Sequence, residues 1–502
     1  MKLAFKLLNV LFILIWLVLI GMLLQRFYSG KHERLDIQNV IAQLEAREEW
    51  MGVYKDGVKI GFVGSSTYIL PDGNYRFEQN WFMRLPVMQH LLDTRIEGYI
   101  NTRPDFRPLD FSMTVVSAGQ TMEFEGHVSE KMLRLDINAA GQHSQRHIPI
   151  KGKFTMPLAF EHMVPNLDLK PGKTYTFDMF DPLSQKTAPV EVELVERTLL
   201  TVLGETIYAT KIRMTLNGMD SYTWIDPTGQ SVKREETLLG LVMLRESKEA
   251  AMKIAPPPEI VATTSDLLVD VSIPVSRLIP DSRFTRSVTL RLVSKGVDWS
   301  QFLLETERQT ILARTDSSVT VKISQTRPDL NDSLCLPLDT HGLDSWLMPT
   351  DFIQADADTI RHLARQILGE DHPQAWSAAN RLGKWVFKHV EKVPTMSIPS
   401  AIEVLRTMQG DCNEHTTLFT ALARAVGIPT RIALGVVYLD NAFYYHAWPE
   451  VWTGTRWVAM DPTFGDMIAD ATHLKLLEGE FDQYPKLLPL IGKMKIHVLN
   501  YQ

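Results

Sequence analysis

Cysteine is scarce in this sequence, with only Cys335 and Cys412 in 502 residues. Two cysteines cannot build a disulfide framework. No CxxC pair or HExxH helix is present to hold zinc, and nothing calls for a metal or another cofactor. Positive charge is not in excess either: the formal net charge is −7 and the pI is near 6.1. That leaves no basic patch of the size nucleic acid requires. There is no fixed-period repeat and no low-complexity run beyond a few prolines. What remains, 45% hydrophobic and 22% charged residues, is the composition of a globular protein. A chain this long exceeds one ordinary core, so two or three domains are expected. The composition gives no indication of oligomeric state.

One long apolar run stands at the N-terminus. In MKLAFKLLNVLFILIWLVLIGMLLQRF, residues 7–24 are interrupted only by Asn9 and Gly21. As a helix this run would rise about 27 Å, close to the hydrocarbon thickness of a bilayer. No small-residue cleavage site follows Leu24. The pattern predicts an uncleaved transmembrane signal anchor over 1–26. It would be a single pass in the cytoplasmic (inner) membrane, with the rest of the chain on the periplasmic, extracytoplasmic side. Lys2 and Lys6 set that orientation, although Arg26, Lys31 and Arg34 face them across the run.

Residues 27–50 read as a short polar helix or stalk. From Tyr54 to about Ser247 the pattern has period two. Leu133, Leu135 and Ile137 share one face, as do Tyr175, Phe177 and Met179, and then Val190, Val192 and Leu194. Turn signals at Pro71, Pro171 and Asp226 punctuate these runs. An antiparallel β domain is expected over 51–250. APPPE, at Ala255–Glu259, reads as a stiff linker. Val288, Leu290 and Leu292, then Val319, Val321 and Ile323, predict a separate small β module over 251–345.

The period changes in the last domain, 346–502. Ile360, Leu363, Ala364, Ile367 and Leu368 mark a helix that Gly369 should end. A second helix has Pro373 at its first turn and a stripe of Ala375, Ala378, Ala379, Leu382 and Val386. A third opens with Cys412, presents Leu418, Phe419, Leu422 and Val426, and stops at Gly427. TRIALGVVYL, FYYHAWPEVW and RWVAMDP follow as three strands joined by tight loops at Asp440 and Thr453. Helices followed by such a meander make an α+β domain.

Cysteine at the first turn of a helix is chemically distinct from cysteine in a core. The amide dipoles there favour an anion and lower the thiol pKa. His446 lies in the middle strand and Asp461 at the end of the next, separated from Cys412 and from each other by 446 − 412 = 34 and 461 − 446 = 15 residues. A meander turning at Thr453 sets His446 roughly opposite Asp461, and same-face residues of adjacent strands touch. The roles follow from the residue types. Cys412 is the nucleophile, His446 the base and acid, and Asp461 the group that orients the imidazole. Taken singly, each has a plain structural reading: a small core residue, a satisfied core histidine, and an Asp-Pro turn opener. Glu414 reads as favourable charge at a helix start, and His415 as a supporting or solvent-facing residue. Trp448 and Tyr445 are expected on the face opposite His446, and Cys335 reads as structural.

GDCNEHTTLFTALARAVGIPTRIALG, YYHAWPEVW and RWVAMDPTFG, in this order and spacing, resemble the transglutaminase-like superfamily over roughly Asp351 to Gly479. The resemblance implies a papain-like α+β core with Cys412, His446 and Asp461 as its Cys–His–Asp triad. Asp411 and Asn413 flank the cysteine where the animal crosslinking enzymes usually carry glutamine and tryptophan, so protein crosslinking is not implied. The expected fold is thus multidomain: an N-terminal transmembrane helix, antiparallel β domains and a C-terminal transglutaminase core. The expected function is a membrane-anchored thiol enzyme acting on an amide or peptide bond of a protein or peptide substrate. Hydrolysis is expected over amine transfer, since nothing marks an amine site. The rival is an inactive transglutaminase-like fold serving as a binding or assembly module.

Overall fold

The computed structural model describes residues 32–34 and 44–502, apart from 88–89, 118, 130, 140–141, 151–153, 165–166, 182–185, 217, 303–304, 329–333, 370–372 and 396–399. The anchor expected over 1–26 lies outside the described residues. Among those described, no helix is long and apolar enough to cross a membrane.

The first large body is a sheet of sixteen strands among the described residues. Its neighbours are antiparallel, except that His32–Arg34 and Phe154–Thr155 each pair in parallel with Thr174–Asp181. Alternation builds the core: Leu133, Leu135 and Ile137 are buried together with Phe177, Met179, Val190 and Val192. The short helix Pro157–Met163 lays Ala159, Phe160 and Met163 into this core, with Phe160 stacked on Phe177 at 4.6 Å.

Three sequence expectations are corrected here. The stalk is not helical where it is described, because Arg47–Lys55 is a strand and His32–Arg34 another. Arg47–Lys55 has strands on both sides, Val58–Ile69 and Leu241–Glu246. Two ladders of backbone hydrogen bonds outweigh its polar composition. The proline stretch is likewise not an extended linker. Pro256 caps the helix Pro257–Thr263, whose Ile260 is buried beside Ile60 and Val63, and proline at a first turn is preorganised for this.

The third correction concerns the small module over 251–345, which is not separate. Its strands Ser287–Val293, Gln309–Arg314 and Ser318–Ser324 share a sheet with Lys495–Tyr501 from the end of the last domain. Ile273–Pro274 also pairs with Phe443 and Ala442. Val288, Leu290, Val319 and Val321 accordingly belong to the same core as Leu418, Phe419 and Val436.

In the C-terminal domain the helices are α1 (Asp358–Leu368), α2 (Ala375–His389), α3 (Ala401–Thr407) and α4 (Cys412–Ala425). The strands are β1 (Thr430–Leu439), β2 (Ala442–Trp452), β3 (Trp457–Ala459) and β4 (Leu474–Glu478). Sequence periodicity did not indicate α3 or β4. In the sheet β2 lies between β1 and β3, and β4 pairs with the other edge of β1. Helix α4 packs on β2, where Thr416 Oγ1 donates to the Ala447 carbonyl at 3.1 Å.

Candidate active site

Helix α4 starts where it does because of a reciprocal cap. Asp411 accepts from the Asn413 amide at 2.9 Å, while Glu414 folds back to accept from the Asp411 amide at 2.8 Å. Gly410 makes room for this: at φ 156°, an added Cβ there would lie 2.2 Å from the Glu414 Cβ. Cys412 is therefore the first residue of the helix, and it remains partly exposed. Asn413 accepts a hydrogen bond from the Tyr484 hydroxyl. Those two side chains, with Thr416, Ala447, Phe352 and Glu480, line a cavity of about 20 Å³.

The three residues expected to act together converge on this end of the domain. His446 Nε2 lies 2.7 Å from Asp461 Oδ2, and both residues are buried. Beside His446 on β2, the Ala447 backbone amide hydrogen-bonds the Cys412 thiol. Asp461 Oδ1 accepts from the amides of Thr463 and Phe464 at 2.9 and 3.3 Å, which fixes the carboxylate in a turn. Phe464 stacks on the His446 ring at 5.0 Å, and the Arg283 guanidinium lies over Phe464 at 4.2 Å.

Electrostatically the thiol differs from expectation. Burial pushes Cys412 well above the ordinary thiol range, and the Asp411, Glu414 and Asp461 carboxylates add to this against the Ala447 hydrogen bond. A helix dipole is worth about 0.3–1 kcal/mol at an exposed site, too little to offset desolvation and like charge together. Burial and the adjoining Glu414 carboxylate also raise Asp411 well above the usual carboxyl range, which favours its neutral form and lightens the charge facing the thiol. Cys335 is exposed, so alkylation at mildly acidic pH is not expected to favour Cys412 over it.

One more reading narrows and another changes. His415 is fully buried, with Nδ1 2.7 Å from the Asp411 carbonyl, which removes the solvent-facing alternative and keeps the supporting one. Trp448 shares the His446 side of β2, their rings 6.1 Å apart, because residues two apart on a strand share a face.

Sequence reasoning missed His473. It is fully buried, and its Nε2 lies 3.0 Å from the same Asp461 oxygen that His446 contacts. Its signal was Asp470-x-x-His473 just before an apolar strand, a spacing that alone says nothing about burial. Gly435, paired with both His446 and Lys475, brings β4 close: a Cβ there would meet the Leu474 carbonyl at 2.0 Å.

Among the described residues, His446, Asp461 and His473 are the group of three whose ligand atoms could converge on a metal ion. The N···O separations of 2.7 and 3.0 Å are direct hydrogen bonds. Two ligands of a tetrahedral ion with bonds near 2.0–2.1 Å stand further apart than this, at roughly 3.3 Å. The set does not fit a metal.

Residues 361–462, which include Cys412, His446 and Asp461, match the family model of the transglutaminase-like superfamily. A search of curated proteins finds no match to the chain. Among solved structures, one described as "a Putative Cysteine Protease" from Cytophaga hutchinsonii is 20% identical over 43% of this chain and 86% of its own, with a TM-score of 0.31. A β-barrel-like protein of a domain of unknown function from Brucella abortus is 11% identical over 40% of this chain and 95% of its own, also at 0.31. At these scores neither bears on the chemistry of this site. The family match fits a thiol enzyme in general.

Proposed function

We propose that the protein is a membrane-anchored, extracytoplasmic thiol enzyme that cleaves an amide or peptide bond through an acyl-enzyme on Cys412. The observation that carries this is the hydrogen-bonded pair of His446 on β2 and Asp461 after β3, with the Ala447 amide beside His446 bonded to the Cys412 thiol at the start of α4. His446 donates Nε2–H to Asp461, which leaves Nδ1 to take the Cys412 proton. The thiolate adds to the substrate carbonyl, whose oxygen is stabilised by the backbone N–H of Cys412. The C–N bond then breaks and His446 gives its proton to the departing amine. Water, deprotonated by His446, attacks the thioester; the acid leaves and the thiol is restored. Hydrolysis is favoured over amine transfer because nothing in the sequence marks an amine site.

One observation favours the rival reading, an inactive binding or assembly module: the raised thiol makes Cys412 a poor nucleophile at neutral pH. A peptidyl thiol-reactive acyl-type probe separates the two. For an enzyme, folded protein labels at Cys412, with a rate that climbs towards alkaline pH, and urea-unfolded protein or Cys412→Ala does not. Labelling no faster than in the unfolded chain would leave only the module. Protease added to intact spheroplasts should degrade the β domain, and full protection would reverse the proposed topology.

A further inference from the structure

Two imidazoles address one carboxylate oxygen at this site. Asp461 Oδ2 accepts from His446 Nε2 at 2.7 Å and from His473 Nε2 at 3.0 Å, while two backbone amides occupy Oδ1. The other ring nitrogen of His473, Nδ1, lies 3.5 Å from Asp470 Oδ1, at ion-pair distance. A carboxylate only accepts. Nε2 therefore carries hydrogen, and the carboxylate at ion-pair distance from Nδ1, though not hydrogen-bonded to it, favours a second proton there and an imidazolium. Burial opposes that charge, but the Asp470 carboxylate and the hydrogen bond to Asp461 outweigh it and raise His473 to about 9. Asp470 is itself held as an anion by the Thr472 amide and hydroxyl at 2.7 and 2.6 Å, with Arg283 3.3 Å away.

Resting on the thiol-enzyme reading above, we propose that His473 is a positioning residue of the site. Its cation holds Asp461 as an anion, fixes the His446 ring, and sets the pH range in which Cys412 and His446 react. Oδ2 already takes a hydrogen from His473, and a second donor from His446 fills it. His446 is thereby committed to presenting Nε2–H to Asp461 and Nδ1 to the thiol. The His473 ring is 5.9 Å from that of His446, so its charge disfavours any further proton nearby and lowers both ionisations of the reacting pair. The other charged or titratable groups facing this cluster are Asp411 and Glu414 on α4, Asp461 and Asp466 after β3, Asp470, and Arg283 and Arg308 from residues 251–345. All of them stay in place when only His473 is changed.

His473→Gln keeps an N–H donor for Asp461 and removes the charge. The measurement is the alkylation rate of Cys412 against pH in the full chain, with Cys335 as internal reference. The whole Cys412 profile should move to alkaline pH by about one unit, the size expected for loss of one charge near 6 Å at intermediate dielectric. A profile superimposed on the native one, with or without a lower melting temperature, would make His473 merely structural and overturn the proposal while the triad stands. A native protein that labels no faster than its unfolded chain sinks the thiol-enzyme reading, and this proposal with it. Should the variant not fold, ¹⁵N spectra of histidine in the native protein, with Cys412 alkylated, decide. One buried ring doubly protonated at pH 8 supports the assignment, and only neutral rings at that pH overturn it.

Discussion

In the sixteen-stranded sheet the buried polar side chains are mostly hydroxyls, among them Thr67, Thr94, Thr102, Ser117 and Thr155. Among its buried charges, Lys55 is tied to Asp270 and Asp226 to Arg245. The C-terminal domain instead buries Glu414, His446, Glu450, Asp461, Asp470, His473 and Lys475. Some of these brace the sheet. Lys475 meets Glu450 at 2.7 Å and Glu478 at 2.6 Å, and Arg431 meets Glu450 at 2.7 Å. Burial opposes the Glu450 charge, but Lys475 and Arg431 hold its carboxyl down at about 2. Of the others, Glu414 and Asp461 act on the Cys412 thiol, and His446, His473 and Asp470 are linked through Asp461. Buried charge is costly unless paired, and groups perturbed in this way cluster where chemistry is done. One region keeps most charge out of its interior and the other gathers it.

The largest effect expected from breaking this division is Asp461→Asn. The amide nitrogen would turn a donor towards two imidazole donors, so His446 must change tautomer. Turnover should fall about a hundred- to ten-thousand-fold while Cys412 still labels, as a comparison of steady-state rate with probe labelling will show. Next comes Phe177→Ala. It removes a buried ring stacked on Phe160 and should cost about 3–5 kcal/mol in urea unfolding, yet leave Cys412 labelling unchanged in the protein that remains folded.

A smaller effect should appear in stability against pH. His473 is raised from its ordinary value of 6.5 to about 9, so its contribution is complete below pH 6.5 and is lost as pH rises through 9. The slope in that window should reach up to about 1.4 kcal/mol per unit and vanish in His473→Gln, as chemical denaturation at a series of pH values will test. The smallest is Arg146→Ala. Arg146 meets Asp351 at 2.8 Å across the two regions, with both side chains more than two-fifths exposed. Such a pair is worth at most about 1 kcal/mol. A larger loss in a thermal melt would mean that the regions stand or fall together.

Local pattern carried some of this architecture and missed the rest for identifiable reasons. The start of α4 at Cys412 was readable because a cap is written within four residues, and β2 and β3 because alternation and tight loops are short-range. His446 opposite Asp461 followed from counting through one turn. By contrast, β4 pairs with β1 across some forty residues, and nothing within Asp470–Glu478 announces that partner. His473 was hidden for the same reason, since it is buried against His446 and Trp448 on a strand distant in sequence. The thiol was misjudged because the dipole is local, whereas the burial that chiefly raises it comes from tertiary packing. The separate module failed as an expectation because its last strand lies 495 − 293 = 202 residues downstream of its first.

That closing strand has a consequence for the order of events in a growing polypeptide. Ser287–Val293 leaves the ribosome long before Lys495–Tyr501, yet the two must lie side by side. The sixteen-stranded sheet can assemble while synthesis continues, because all its strands precede residue 250. The C-terminal half has to wait, its apolar strand Val288–Leu292 uncovered on one edge until Lys495–Tyr501 has been made. Cys412 therefore spends its youth as an ordinary, unhoused thiol, and holding partners or reductants would matter most in that interval.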